Sequence, residues 1–568
     1  MKKILALVVI MAVGTAMAAQ AADADLEKKI KDLEKRLRLV ERKAATDRVD
    51  FTGDFRFEAH NIDADIPDYM DGMALQNVMA QTLFYFGANG TLPMASPTAM
   101  DFAALGTYVM QNGGNYMAYA NSLTFAGLRG GLQDLLTAMA VMNGMDPATL
   151  TPEQWAGLQD GAMQLMLAAP GVMQGGYDWK NDILYTSRLR LNMNAKVADD
   201  VSFAGRLSMY KPWGDSTGLQ VFNGQSNSLN IDGNTTRVPN SDILRVDRAY
   251  FNWNRIGDSS LYLSIGRRPS TGGPPLHLRE DEMRGGTPLG SVVDFQFDGI
   301  TAGFDVHENS KLRLCYGLGY ESGFGSAENL RRPADRLKDA HFFGFNWDVW
   351  SKGENFVQAT VLRAFDATDG FNGVVVLPDN PVSGDAIGAP MVMRFTPSTN
   401  LGDIDLASLL VMREWRGFDF FASYSVMKSH PELVTTPFGG LFCDPFETPE
   451  EQTGKMAYAG ARYSFADEKT KVGLEYNKGS KYWFNFSQGA DDIVAPKTGT
   501  RGEVWEAYLT HRVDKRFIVK LDYMHYAYDY SGSGWHLGAP KDLNDTPILG
   551  YPTYSAVNQI SLSTSVRF

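Results

Sequence analysis

Three features of the 568-residue sequence predict an all-β membrane protein built as an antiparallel transmembrane β-barrel of about sixteen strands. Apolar and polar residues alternate over repeated runs of about ten residues, the length a tilted strand needs to cross a bilayer. Tight polar connections take turns with long Gly, Pro and Asn-rich ones, and the last alternating run stops on Phe568. Mean hydropathy is −0.23, too low for a helical membrane protein but compatible with strands that keep one polar face. The formal charge of −13 argues against a nucleic-acid partner.

Residues 1–21 read as a signal peptide. Lys2 and Lys3 form its basic start, Ile4 to Val13 its apolar core, and Ala16-Met17-Ala18 or Ala19-Gln20-Ala21 its cleavage site. Residues 22–47 follow with Leu26, Ile30, Leu33, Leu37, Val40 and Ala44 spaced alternately four and three apart among charged residues. That spacing is a heptad seam and asks for partner helices; a single amphipathic helix lying on its own domain is the other reading. An export signal and an even strand count place this segment in the periplasm.

Residues 48–568 are expected to form the barrel. Val49, Phe51, Gly53, Phe55 and Phe57 alternate with Asp50, Thr52, Asp54, Arg56 and Glu58. Leu189, Leu191 and Met193 alternate with Arg188, Arg190 and Asn192, and Val201, Phe203, Leu207 and Met209 with Ser202, Arg206 and Ser208. Seven tight connections fall near 198–200, 256–258, 308–310, 351–353, 415–417, 467–469 and 514–515. Eight long ones fall near 62–178, 211–242, 269–290, 321–339, 367–400, 429–454, 480–501 and 530–556. Fifteen connections imply sixteen strands, with a phase slip in the run around Arg245 to Trp253. A barrel of that size is expected to enclose an aqueous lumen.

The connection at 62–178 is a Met- and Ala-rich, partly helical insertion between strands one and two, holding 13 of the 25 methionines. Thr151-Pro152-Glu153-Gln154 reads as a capping box that opens a helix through Trp155, Leu158, Ala162, Leu165 and Met166. With six charged residues from Gly72 to Gly176, the insertion needs cover for its apolar side chains. It either forms a helical subdomain on the rim or plugs the lumen. Its methionines suit core packing, or a surface for partners.

In the last run Ile560, Leu562, Val566 and Phe568 share one face, while Ser561, Ser563, Ser565 and Arg567 share the other. A final strand ending in an aromatic residue resembles the assembly signal of Gram-negative outer-membrane barrels, which implies Phe568 as the residue read by the barrel assembly machinery. The layout as a whole resembles the trimeric general porins. More narrowly it is similar to an uncharacterised porin-like family of delta- and epsilonproteobacteria. That likeness rests on the coil running into Val49-Asp50-Phe51-Thr52-Gly53-Asp54-Phe55-Arg56-Phe57 and on Ile265-Gly266-Arg267-Arg268-Pro269-Ser270-Thr271-Gly272-Gly273-Pro274-Pro275.

The resemblance implies a homotrimer in the Gram-negative outer membrane that passes small hydrophilic solutes or ions by passive diffusion. It also implies a third loop folded into the lumen as a constriction, here Arg267, Arg268, His277, Arg279, Glu280, Asp281, Glu282 and Arg284. Its acidic residues would face wall arginines, with Arg188, Arg190, Arg206 and Arg245 as candidates. The loop charges also fit a solvated turn.

No catalytic or metal-ligand constellation is legible, no cofactor is expected, and no Cys-x-x-Cys-His motif is present. Cys315 and Cys443 are compatible with one disulfide that spacing alone does not establish. The competing functional reading is a structural barrel or sheath that docks a partner such as a multihaem cytochrome.

Overall fold

The structure is a computed structural model. It describes residues 29–38, 49–214, 236–239, 241–296, 298–323, 327–370, 373–377, 391–395, 397–487 and 491–568. The expected signal peptide and most of the expected coil lie outside these residues. Residues 29–38 are helical, with Ile30, Leu33 and Leu37 exposed along one seam.

Sixteen strands close into one barrel. They are β1 (Val49–Ile66), β2 (Tyr177–Lys196), β3 (Val201–Pro212), β4 (Ser241–Trp253), β5 (Tyr262–Arg267), β6 (Asp298–His307), β7 (Ser310–Tyr320) and β8 (Ala340–Lys352). The second half comprises β9 (Asn355–Thr368), β10 (Asn400–Trp415), β11 (Phe418–Pro431), β12 (Thr453–Ser464), β13 (Thr470–Gly479), β14 (Gly502–Arg512), β15 (Phe517–Tyr528) and β16 (Ala556–Arg567). Every pair is antiparallel and sequential, and β1 closes the ring by pairing with both β2 and β16. At the seam Gly53 and Phe568 exchange backbone hydrogen bonds of 2.9 and 3.0 Å. A Cβ on Gly53 would sit 2.6 Å from the Phe568 ring, so the glycine makes room for the terminal aromatic.

The period-two alternation becomes two chemically distinct faces. Leu409, Val411, Leu509, Leu521, Ile560 and Leu562 are exposed outward, whereas their neighbours Leu410, Thr510, Asp522, Ser561 and Ser563 are buried inward. Aromatic residues edge the outer apolar belt: Trp253, Trp350, Trp415 and Phe418 toward the short turns, Tyr185, Trp213, Phe343 and Trp505 toward the long loops. Such a belt suits bilayer interfaces. Among the described residues no helix is long and apolar enough to cross a membrane.

β1 and β2 have 18 and 20 residues, well beyond the roughly ten that a bilayer requires. Their upper parts carry outward polar contacts, including Lys180 Nζ to Asp63 at 3.2 Å and Asn61 Nδ2 donating to the Asp182 carbonyl at 2.7 Å. Residues 67–176 are mounted on this tall hairpin. Tyr69–Asp71 pairs with Met173–Gln174 and, in parallel, with Ile548–Leu549 of the last long loop.

Five helices follow in the insertion: α1 (Gly72–Asn89), α2 (Phe102–Gln111), α3 (Gly113–Ser122), α4 (Phe125–Met142) and α5 (Pro152–Leu167). The capping box forms at α5. Gln154 N–H donates to Thr151 Oγ1 at 3.3 Å, and Gln154 Oε1 accepts from Thr151 N–H at 2.8 Å. Leu75, Met79, Leu83, Leu135 and Met166 make the insertion's own core, with Ile548 packed against it. Some of its methionines are therefore core, while Met110 stays 78% exposed. Phe125 stacks on Phe446, a further contact with the long-loop end of the barrel.

The phase slip in β4 is a β-bulge. Arg206 faces Arg248 but Leu207 faces Val246, which leaves Asp247 as the extra residue. Both cysteines are free, Cys315 on β7 and Cys443 in the loop after β11.

Candidate functional site

The loop of residues 268–297 leaves the wall low, because β5 is only six residues long and pairs with β6 no higher than Arg267 opposite Asp298. Gly266, at φ +122°, takes a backbone conformation that side chains disfavour, just before the chain turns off the wall. The loop then crosses the lumen. Leu276, Leu278, Leu289, Val292, Val293 and Phe295 pack against Leu401, Leu406, Phe421, Met456, Trp483 and Phe484. Burying six such side chains contributes on the order of 10 kcal/mol gross toward holding the loop in the lumen.

A second loop, described over 480–487 and 491–501, folds in beside it. Asp294 N–H donates to the Phe486 carbonyl at 2.7 Å and Phe486 N–H to the Val292 carbonyl at 2.9 Å. The loop after β11 adds Leu441 and Phe442 to the same core. The wall residues facing these loops, including Leu406, Leu410, Met427, Tyr458, Glu475 and Glu506, are buried. The expected aqueous lumen is thus corrected along β10 to β15, where loop side chains cover the wall. The reason is that the Gly, Pro and Asn-rich connections carry apolar anchors that look like loop residues in sequence and become interior only once the barrel surrounds them.

Charge is divided around this core. One wall carries Arg56 on β1, Arg188 and Arg190 on β2, Arg206 on β3 and Arg248 on β4. The neighbouring arc of wall, separated from β1 by β16 alone, carries Glu475 on β13, Glu506 on β14 and Asp522 on β15, with one cation among them, Lys520 on β15. The inward loops present the complementary sign to each.

Against the arginine wall, Asp491 lies 2.7 Å from Arg188, 2.8 Å from Arg190 and 3.7 Å from Arg237. Asp294 lies 2.9 Å from Arg237 and Glu280 lies 3.2 Å from Arg56. Against the acidic wall, Lys497 pairs with Glu475 and Glu506, and Arg279 lies 3.4 Å from Glu506. Arg279 also meets Asp492 at 2.7 Å.

Burial pushes the Asp491 and Glu280 carboxyls up. The arginines around Asp491, and Lys520 and Arg56 beside Glu280, outweigh it and hold both below the usual carboxylate range. In Asp294 and Asp492 burial wins and both stand above that range. Burial, helped by Arg462 and Arg284, pulls His277 down to about 4, so it is neutral near pH 7.

The residues singled out in the sequence divide into groups. Glu280 joins Arg56 and Lys520, whereas Asp281 joins Arg462, Lys471 and Arg512 at 3.3, 2.6 and 2.6 Å. Glu282 approaches Arg567 at 4.0 Å, and Arg284 holds Asp348 on β8 at 3.2 Å. The wall arginines meet other acids, Arg188 and Arg190 at Asp491 and Arg206 at Asp247.

Arg245 donates to Ser241 Oγ at 3.1 Å and to the Ile243 carbonyl at 3.3 Å. Arg267 closes β5, and Arg268 bonds Ser264 at 3.0 Å and Thr301 on the wall beside it. Sequence reasoning missed Arg56 as a partner although it sits in the first alternating run. It also missed Asp491, Lys497 and Arg237, which lie in loops without any periodic signal. Among the described residues no group of three or more His, Cys, Asp or Glu is placed to hold a metal.

These features define a sixteen-stranded transmembrane β-barrel with inward-folded loops and a charge-divided lumen. The chain belongs to the family described as protein of unknown function (DUF3373), whose model matches residues 178–568. No functionally curated protein matches the sequence.

Among solved structures, Salmonella typhi OmpF in complex with daunomycin is similar at 10% identity over 70% of this chain and 93% of that one, with a TM-score of 0.38. The outer membrane channel DcaP of Acinetobacter baumannii aligns at 10% identity over 92% and 97%, with a TM-score of 0.37. The outer-membrane protein OmpT of Vibrio cholerae aligns at 13% identity over 68% and 92%, with a TM-score of 0.36.

Proposed function

We propose that this chain is a Gram-negative outer-membrane channel, related to the delta- and epsilonproteobacterial porin-like proteins, that lets small hydrophilic solutes or ions cross by passive diffusion. The short turns face the periplasm and the insertion stands outside. The observation that carries the reading is the charged lumen, in which two loops are held against oppositely charged walls. A barrel serving only as a scaffold has no need of buried charge of both signs inside it, because buried ion pairs are weak contributors to stability.

Loop 268–297 is the constriction, with His277, Arg279, Glu280, Asp281, Glu282 and Arg284 on it and Arg188, Arg190 and Arg206 on the wall. Arg267, Arg268 and Arg245 flank it. Phe568 serves the assembly machinery. The exposed seam of Ile30, Leu33 and Leu37 supports a homotrimer, since three copies packed along it would cover those side chains.

The test is conductance of the purified full chain in planar bilayers. Discrete steps in salt are expected, and they persist when residues 70–176 are deleted. Absence of steps both before and after that deletion would overturn the reading.

A further inference from the structure

The bulge in β4 creates an imbalance that the channel reading leaves unexplained. Arg206 and Arg248 stand directly opposite each other on β3 and β4, and the one carboxylate beside them is Asp247, the bulged residue. Asp247 is already engaged. Arg206 Nε donates to its Oδ2, and Thr236 Oγ1 donates to Oδ1 at 2.6 Å. Among the described residues Arg248 Nη2 reaches only the Thr271 carbonyl, at 3.5 Å. The next acids are committed elsewhere, Asp294 to Arg237 and to Gly272 N–H, Asp491 to Arg188 and Arg190.

Among the described residues, four buried donors close to this pair have no hydrogen-bond partner: Arg206 Nη2, Arg248 Nε, Ser208 Oγ and Thr271 Oγ1. Thr271 and Ser208 are 0% and 1% exposed, Gln296 5% and Arg206 7%. Gln296 belongs to the same hub: Thr236 Oγ1 gives its one proton to Asp247, so the Gln296 amide, 2.6 Å away, donates to Thr236 and is satisfied there. Buried donors are satisfied almost without exception in folded proteins, and an unpaired guanidinium is the costliest to leave so. Water would serve the hydroxyls but would leave one positive charge unbalanced.

We propose that Arg206 and Arg248 bind a small oxyanion, a carboxylate or a phosphate, inside the lumen. Ser208 and Thr271 complete its shell. Two guanidinium donors, one from each arginine, with hydroxyls beside them suit an acceptor of several oxygens better than a halide. The site deepens the channel reading and rests on it only for the route by which the anion arrives.

The test uses the purified full chain in detergent, titrated with sodium phosphate, sodium acetate or sodium chloride at constant ionic strength while thermal unfolding is followed. A saturable rise in melting temperature with phosphate or acetate, absent with chloride, is expected. Whichever of the two oxyanions acts at lower concentration identifies the class.

The double variant R206Q/R248Q should abolish the rise, and the milder Thr271→Val should weaken the apparent affinity by about tenfold, the loss of one charge-favoured contact. Lys196→Gln, on the exposed short-turn end, should leave it intact. No saturable shift with either oxyanion, or an equal shift with chloride, overturns the proposal and leaves the cluster simply hydrated. A protein that shows the shift but never conducts keeps this site and loses the channel reading; one that conducts without the shift does the reverse.

Discussion

Asp491 and Lys497 tie one loop to both walls, so changing them together tests whether that loop occludes the path. In Asp491→Asn three guanidiniums lose a carboxylate of the same shape. Arg188 keeps Asp54 at 3.0 Å and Arg237 keeps Asp294 at 2.9 Å, which leaves Arg190 the most exposed to the loss. Breaking a buried pair from one side costs roughly 3–5 kcal/mol, and the retained partners place this change near about 3.

In Lys497→Met, Glu506 keeps Arg279 at 3.4 Å and Lys520 at 3.7 Å, and Glu475 keeps the Tyr458 and Tyr508 hydroxyls at 2.5 and 3.2 Å. The cost is again about 3 kcal/mol. The two residues have different carboxylate and cation partners, so the double variant should lose about 6 kcal/mol of loop attachment, a shift in its docked population of about ten-thousandfold.

Trp483 and Phe484 remain anchored in the core, so the segment from 491 to 499 is the part expected to swing. The assay is single-channel conductance in planar bilayers beside thermal unfolding in detergent. Higher conductance in the double variant than in either single variant is expected. Unchanged conductance together with the expected loss of thermal stability would refute the idea that this loop lies across the path.

Four further outcomes are expected. Asp491 and Glu280 should add no step to the conductance between about pH 7 and about pH 4.5, because cations outweigh burial at both and a carboxyl held low keeps its charge until pH falls below its unfolded value near 4, whereas Asp294 and Asp492, raised by burial, protonate first as pH falls; a step in that window that persists in Asp294→Asn and Asp492→Asn would contradict this. His277, pulled down to about 4 chiefly by burial, makes folding weaken as pH falls from about 6.5 toward 4, and thermal unfolding of His277→Gln should lose that part of the slope.

Gly53→Val should impair assembly, read as loss of the heat-modifiable folded band in gels, because the added carbons meet the Phe568 ring and the Arg190 carbonyl, each 2.6 Å from the first of them. Within the insertion, Leu135→Ala should cost about 2–5 kcal/mol in unfolding while Met110→Ser stays within about 0.5, since the first is fully buried and the second exposed.

The barrel was legible because a strand in a bilayer has no freedom about its faces. Apolar residues at Ile560, Leu562 and Val566 meet lipid, and Ser561 and Ser563 turn inward, so period two, strand number and closure on Phe568 are all written locally. The capping box at Thr151 was legible for the same reason: its partners are three residues apart.

The candidate site was legible only by half. Wall arginines announce themselves by alternating with Leu189 and Leu191, but an acid in a long loop carries no period. Glu280 meets Arg56 from 224 residues away, and Arg188 meets Asp491 across 303. Such pairs are chosen when a closed ring brings distant loops into one enclosed volume and leaves most buried charges a partner within reach. The sequence by itself determined which residues face the lumen. The tertiary structure decided that loops fill much of it, which acid answers which arginine, and that the bulge at Asp247 sets two guanidiniums beside a single carboxylate.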